Sequence, residues 1–339
     1  MGNNKKFVFV LGAGASRDFG YPTGIELIET ITKYKNGGVF INFMKENGIF
    51  ERDVKTFADI LKESGLNSID AFLTRVVDSK REQPVDFETI GRACIAYTIL
   101  FTEKQSKILE LPFRFDDNWY RYLFSFFDDN YAALIDGRVR FLTFNYDLSL
   151  EYFIATSYRI RNYLYAMSLE EKRKYQEFLS KIKILHFYGQ AGNLNEFVST
   201  GREYGVVDDF FNFSKPHMFR EIAKNIEIVR PQVPKETQII FNRAQQYLTE
   251  ANYVFFLGFG FDVLNMERLG LEHAFQAGVD RRLYYVTTYG ADNSSIYDFE
   301  NRIFPDGSLK DDIYTRGDHE EKIVPFLKNK CFILSGLKE

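Results

Sequence analysis

Near its start the chain runs Lys6-Phe7-Val8-Phe9-Val10-Leu11 straight into Gly12-Ala13-Gly14-Ala15-Ser16-Arg17-Asp18, then Phe19-Gly20-Tyr21-Pro22-Thr23-Gly24. A short apolar run of β-branched and aromatic residues is the pattern of a fully buried strand. The glycines after it let backbone pass close to a ligand where any Cβ would collide. A helix beginning near Ala15 would aim unpaired N–H groups and a positive dipole end at the turn, a seat suited to a pyrophosphate. The same residues also suit a tight turn with no ligand.

Further strands are expected at Val139–Phe144, Lys183–Phe187, Tyr253–Leu257 and Leu283–Thr287, with Lys330–Leu334 as a final edge strand. Capping boxes at Thr23-Gly24-Ile25-Glu26 and Ser168-Leu169-Glu170-Glu171 open two helices. Other helices are expected from Phe87 to Leu109, at Pro216–Glu227, at Glu236–Glu250 and at Met266–Ala277. Strands alternating with helices predict an α/β fold, a Rossmann-like and mostly parallel sheet with helices on both faces. The stretch 41–130 carries no convincing strand. It is expected to be a helical insertion subdomain after the first strand, within one domain spanning residues 1–339.

The 339 residues include 35 Phe and 21 Tyr, ample for a large core. A formal net charge of −4 gives no basic footprint for nucleic acid. Cys94 and Cys331 are far apart and His186, His217, His273 and His319 are scattered, so no metal site is expected. Two cysteines without a framework, and no run near the ~18 apolar residues of a membrane span, predict a cytoplasmic protein.

Polar residues sit just past the strand ends, where open α/β sheets bind ligands. Thr143-Phe144-Asn145-Tyr146-Asp147 offers a carboxamide and a carboxylate. Asn145 has donors and acceptors for ribose hydroxyls or a water, or it belongs to an Asx turn; Asp147 is better read as a helix cap. His186 is either a satisfied core histidine or a general base. Gly258-Phe259-Gly260-Phe261-Asp262 with Asn265 is a second glycine-lined strand end, placed for an adenine ribose or simply a turn into a helix. Gly12-x-Gly14 lacks the third glycine of the dinucleotide fingerprint, Arg17 standing in its place.

Taken in order, Gly12-Ala13-Gly14-Ala15-Ser16 with Pro22, Thr143-Phe144-Asn145-Tyr146-Asp147, His186-Phe187-Tyr188-Gly189 and Gly258-Phe259-Gly260-Phe261 with Asn265 resemble the sirtuin-like family, in its bacterial anti-phage-defence branch. Ser68-Ile69-Asp70 and Asn118-Trp119-Tyr120-Arg121-Tyr122-Leu123 are similar to helical motifs of that branch. The resemblance implies NAD as substrate and Asn145 and His186 as the catalytic pair. It also implies nucleotide contacts from Gly12, Ala13, Gly14, Ala15, Ser16, Asp18, Pro22 and Thr23, from Asp147, and from Gly258, Phe259, Gly260 and Asn265. Two departures stand out. The family's histidine directly precedes the glycine, whereas here Tyr188 does and His186 is two residues earlier, on the same strand face. The cysteine-built zinc ribbon of the protein deacetylases is also missing.

These residues predict an NAD glycohydrolase, with Asn145 orienting ribose or water and His186 accepting a proton. An NAD-dependent protein deacylase and a non-catalytic NAD or ADP-ribose sensor are the alternatives. The resemblance further implies abortive infection through NAD depletion, a homo-oligomer and a defence partner such as a HerA-like ATPase.

Overall fold

Phe7–Leu11 form β1, and all five of its residues are buried. Burial on both faces requires neighbours on both edges and helices above and below. The computed structural model supplies them; it describes residues 5–78, 85–109, 118–206, 216–228, 235–272, 282–304 and 313–338. The other strands are β2 (Val139–Thr143), β3 (Lys183–His186), β4 (Tyr253–Leu257), β5 (Leu283–Val286) and β6 (Tyr314–Arg316). They lie in the order β3-β2-β1-β4-β5-β6, and every pair is parallel. The chain therefore has a Rossmann-like α/β fold.

Parallel pairing puts equivalent strand ends at one level. Leu11 is opposite Thr143 and Leu257, and Thr143 is opposite His186, so the residues that follow share one sheet edge. Across one sheet face run Phe141, Phe9, Phe255 and Tyr285, successive ring centroids 5.4, 5.0 and 4.7 Å apart. Each such ring contributes roughly 1.5–3 kcal/mol by leaving water.

Between β1 and β2 the described residues form helices and no strand. These are α1 (Gly14–Arg17), α2 (Gly24–Tyr34), α3 (Gly38–Glu46), α4 (Glu51–Glu63), α5 (Ile69–Asp78), α6 (Phe87–Lys104), α7 (Trp119–Phe124) and α8 (Ala132–Ile135). The capping box of α2 forms as expected: the Glu26 carboxylate accepts from the Thr23 amide and hydroxyl, both at 2.9 Å. The insertion grips the first turn. Trp119 Nε1 donates to the Ala15 carbonyl at 2.7 Å, and Ser106 Oγ donates to the Phe19 carbonyl at 2.8 Å. The second contact bends the chain after α6, so the long helix expected to reach Leu109 ends at Lys104 and a separate 3₁₀ turn, Lys107–Leu109, follows.

Later come α9 (Ser149–Arg161), α10 (Leu169–Lys181), α11 (Pro216–Lys224), α12 (Lys235–Glu250), α13 (Val263–Leu269), α14 (Asn293–Ile303), α15 (Ile323–Lys328) and α16 (Cys331–Leu334). Gly270, left-handed at φ 61°, ends α13; of the expected continuation, Leu271 and Glu272 are helical, and residues 273–277, His273 included, lie outside the described residues.

The expected edge strand Lys330–Leu334 is instead the short helix α16, and β6 occupies the sheet edge. Strand alternation would send residues 332 and 334 to one face. Leu334 is 0% exposed while Phe332 is 89% exposed, the opposite of strand alternation and in keeping with the helical turn. No described helix is long and apolar enough to cross a membrane.

Candidate active site

At the carboxyl edge the turn after β1 meets the turn after β4, backbone against backbone. A Cβ on Gly12 would sit 2.4 Å from the Gly258 carbonyl oxygen, and one on Gly258 would sit 2.1 Å from the Ala15 nitrogen. Gly258 is also left-handed at φ 57°. Glycine is required at these two positions by mutual contact of the loops, not by an approaching ligand. The expected row of free amides does not form. Gly12 N donates to Leu257 O at 3.1 Å, Gly14 N to Gly258 O at 3.0 Å, Ala15 N to Gly12 O at 2.9 Å and Ser16 N to Ala13 O at 3.2 Å. Helix α1 is a single turn.

Beside this junction a narrow cleft of about 80 Å³ opens between the sheet edge and the insertion. Ala13, Ser16, Pro22, Thr23, Asn145 and Asp147 from the predicted set line it. Tyr21, Asp70 and Tyr146 also line it. The dipeptide leaving β2 spans the cleft. Asn145 Nδ2 donates to Ser16 Oγ at 2.9 Å on the glycine turn, while Tyr146 Oη donates to Asp70 Oδ1 at 2.7 Å on α5. Asn145 Oδ1 is enclosed yet accepts no hydrogen bond. A buried amide oxygen left so costs about 1–3 kcal/mol, which a ligand donor would recover.

Asp147 is buried at the foot of α9. Its Oδ1 accepts from the Ser149 amide at 3.0 Å and from the Ser149 hydroxyl, an Asx turn one residue ahead of the helix, so the cap expected at Asp147 is not formed there: the N-cap is Leu148 and no side chain caps it. Burial raises its pKa against the opposing hydrogen bonds from Ser149 and Ser16.

His186 is next to Asn145 but is not among the residues lining the cleft. Its Nδ1 lies 2.9 Å from the Asn145 main-chain oxygen and its Nε2 lies 2.6 Å from Glu151 Oε1 on α9. A carbonyl only accepts, so Nδ1 carries a proton. Burial disfavours the charged ring, but the Glu151 carboxylate and the Asn145 carbonyl outweigh it and the pKa is raised. An imidazolium with both N–H groups engaged has no lone pair for a further proton. In this arrangement His186 fixes the main chain of Asn145.

The remaining predicted residues lie away from the cleft wall. Gly14 and Ala15 form the loop junction, and Asp18 lies 4.0 Å from Lys322 Nζ. Phe259 is buried against Phe144, centroids 5.5 Å apart. A Cβ on Gly260 would meet nothing within 4 Å, so packing does not account for that glycine. Asn265 Oδ1 accepts from the Tyr188 hydroxyl, which Arg268 also contacts at 3.1 Å. Sequence reasoning missed Asp70, Tyr146 and Glu151 as site residues. The signal available for the first was a lone acid in the helical motif Ser68-Ile69-Asp70. No protein-family model and no curated protein matches the chain.

Proposed function

We propose that the cleft binds the nicotinamide-ribose end of NAD and hydrolyses its N-glycosidic bond, giving nicotinamide and ADP-ribose. The observation that carries this reading is the enclosed Asn145 Oδ1, unpartnered at the carboxyl edge of a 3-2-1-4-5-6 parallel sheet, where such folds take nucleotides. Cleavage develops oxocarbenium character at the anomeric carbon, and nicotinamide leaves neutral, so no strong acid is needed. An amide oxygen held at its nitrogen end by Ser16 can accept from a ribose hydroxyl or an incoming water. His186 and Glu151 contribute by holding the Asn145 backbone in place.

The resemblance to the sirtuin-like defence branch supports the choice of NAD. On the same basis we propose a homo-oligomeric effector that depletes NAD with a defence partner such as a HerA-like ATPase. The amides of the glycine turn bond within the fold, so the proposal rests on the ribose end rather than on a phosphate cradle.

The test is incubation of the purified chain with NAD alone, with nicotinamide release followed by chromatography. Turnover is expected, reduced about a hundredfold or more in Asn145→Ala at unchanged thermal stability. Wild-type turnover in that variant would remove the mechanism. Dependence on an acylated peptide would favour a deacylase, and binding without turnover a sensor.

A further inference from the structure

Hydrolysis requires a group that takes the proton of the attacking water, and His186 is engaged at both nitrogens. The ionisable side chains lining the cleft, among the described residues, are Tyr21, Asp70, Tyr146 and Asp147. Tyr21 shares a 2.6 Å hydrogen bond with the Tyr204 hydroxyl, and Asp147 is committed to Ser149 at the start of α9. Asp70 differs. Its residue lines the cleft and is partly accessible, and the Tyr146 hydroxyl donates to its Oδ1.

We propose that Asp70 is the proton acceptor of the hydrolysis, placed across the cleft from Asn145 by the Asn145-Tyr146 dipeptide. This rests on the glycohydrolase reading and names the base for it. The water oxygen bonds to the anomeric carbon and its proton passes to the Asp70 carboxylate. The carbon–nitrogen bond to nicotinamide breaks, its electron pair staying on the ring nitrogen and cancelling the charge there. Atoms and electrons balance with water as the only co-reactant.

The surroundings of Asp70 suit that task. Burial raises its pKa, the Tyr146 hydrogen bond lowers it, Asp262 raises it further and Arg268 lowers it, leaving it at about 6. Arg92 on α6 acts on the Tyr146 hydroxyl, and the Tyr188 hydroxyl is coupled both to it and to Asp70. A carboxylate of this strength is ionised at neutral pH and a better base than an ordinary one.

The experiment is the pH dependence of kcat for NAD hydrolysis from about pH 5 to about pH 9, with NAD affinity measured by calorimetry. Wild-type kcat should fall about tenfold per pH unit on the acid side of Asp70 titration. Asp70→Asn should lose about a hundredfold in kcat while NAD affinity changes by less than about threefold, and should lack the acid limb. Tyr146→Phe removes a hydrogen bond that lowers the Asp70 pKa, so its acid limb should move to higher pH. If Asp70→Asn does not fold, the limb in Tyr146→Phe decides, and an unmoved limb overturns the proposal. Wild-type turnover with kcat and acid limb retained in Asp70→Asn overturns the role of Asp70 and leaves the hydrolase reading standing. Absence of wild-type turnover at every pH overturns the hydrolase reading, and this inference with it.

Discussion

A carboxyl group held in a protein wall where ionisation is disfavoured carries a stability cost whose sign follows from its pKa. Asp70 has its pKa raised from 3.8 to about 6. Folding therefore favours its protonated form. Below the unfolded value both states are protonated and there is no cost; the cost grows as pH rises and is complete above the folded value. Two pKa units correspond to at most about 3 kcal/mol. Asp70→Asn keeps an oxygen to accept from Tyr146 and removes the ionisation. It should raise the unfolding free energy, read from denaturant curves, more at about pH 7.5 than at about pH 4.5, by up to about 3 kcal/mol. An equal gain at both values would show that the carboxyl is not perturbed. A residue whose replacement stabilises the fold is often one kept for its chemistry.

At the scale of elements, the turns after β1 and β4 act as one unit. Gly258→Ala would place a methyl 2.1 Å from the Ala15 nitrogen in a left-handed conformation, and neither backbone can yield without moving its strand. We expect a loss of at least about 3 kcal/mol in urea unfolding. Gly260→Ala, with nothing within 4 Å, should change stability by less than about 1 kcal/mol. Comparable losses in both variants would show that the turns do not touch. The same contrast explains why the Gly12-x-Gly14 pattern was legible as a strand-to-helix turn but not as a site. Glycine is demanded equally by a phosphate and by a second backbone, and sequence does not distinguish them.

For the whole molecule, a buried ion pair is one of the links that join the insertion to the rest. Arg202 Nη2 donates to Glu103 Oε2 at 2.7 Å and to the Ala191 carbonyl at 2.8 Å, and Gly205 N donates to Glu103 Oε1 at 2.8 Å. The pair ties the segment after β3 to α6, with Tyr21 and Tyr204 hydrogen-bonded nearby. Removing one partner strands a charge in the interior, costing about 3–5 kcal/mol. Glu103→Leu should therefore destabilise by that amount in urea unfolding, and adding Arg202→Leu should restore part of it. A double variant worse than the single one would mean that the pair acts through something other than its charges.

The first five strands, the capping boxes, the helical stretch after β1 and the place of Asn145 just past a strand were readable from the sequence, because they depend on local periodicity and on which residues follow a buried strand; the order of the strands in the sheet and β6 were not. The same local pattern misassigned Lys330–Leu334, where competition for the sheet edge was settled by β6. Only the tertiary structure brought Asp70 to Tyr146, 76 positions away, and Glu151 to His186, 35 positions away. Charge and protonation depend on what surrounds a group in space. A chain states its ionisable groups one by one, and the packing of distant helices against the strand ends decides which of them can move a proton.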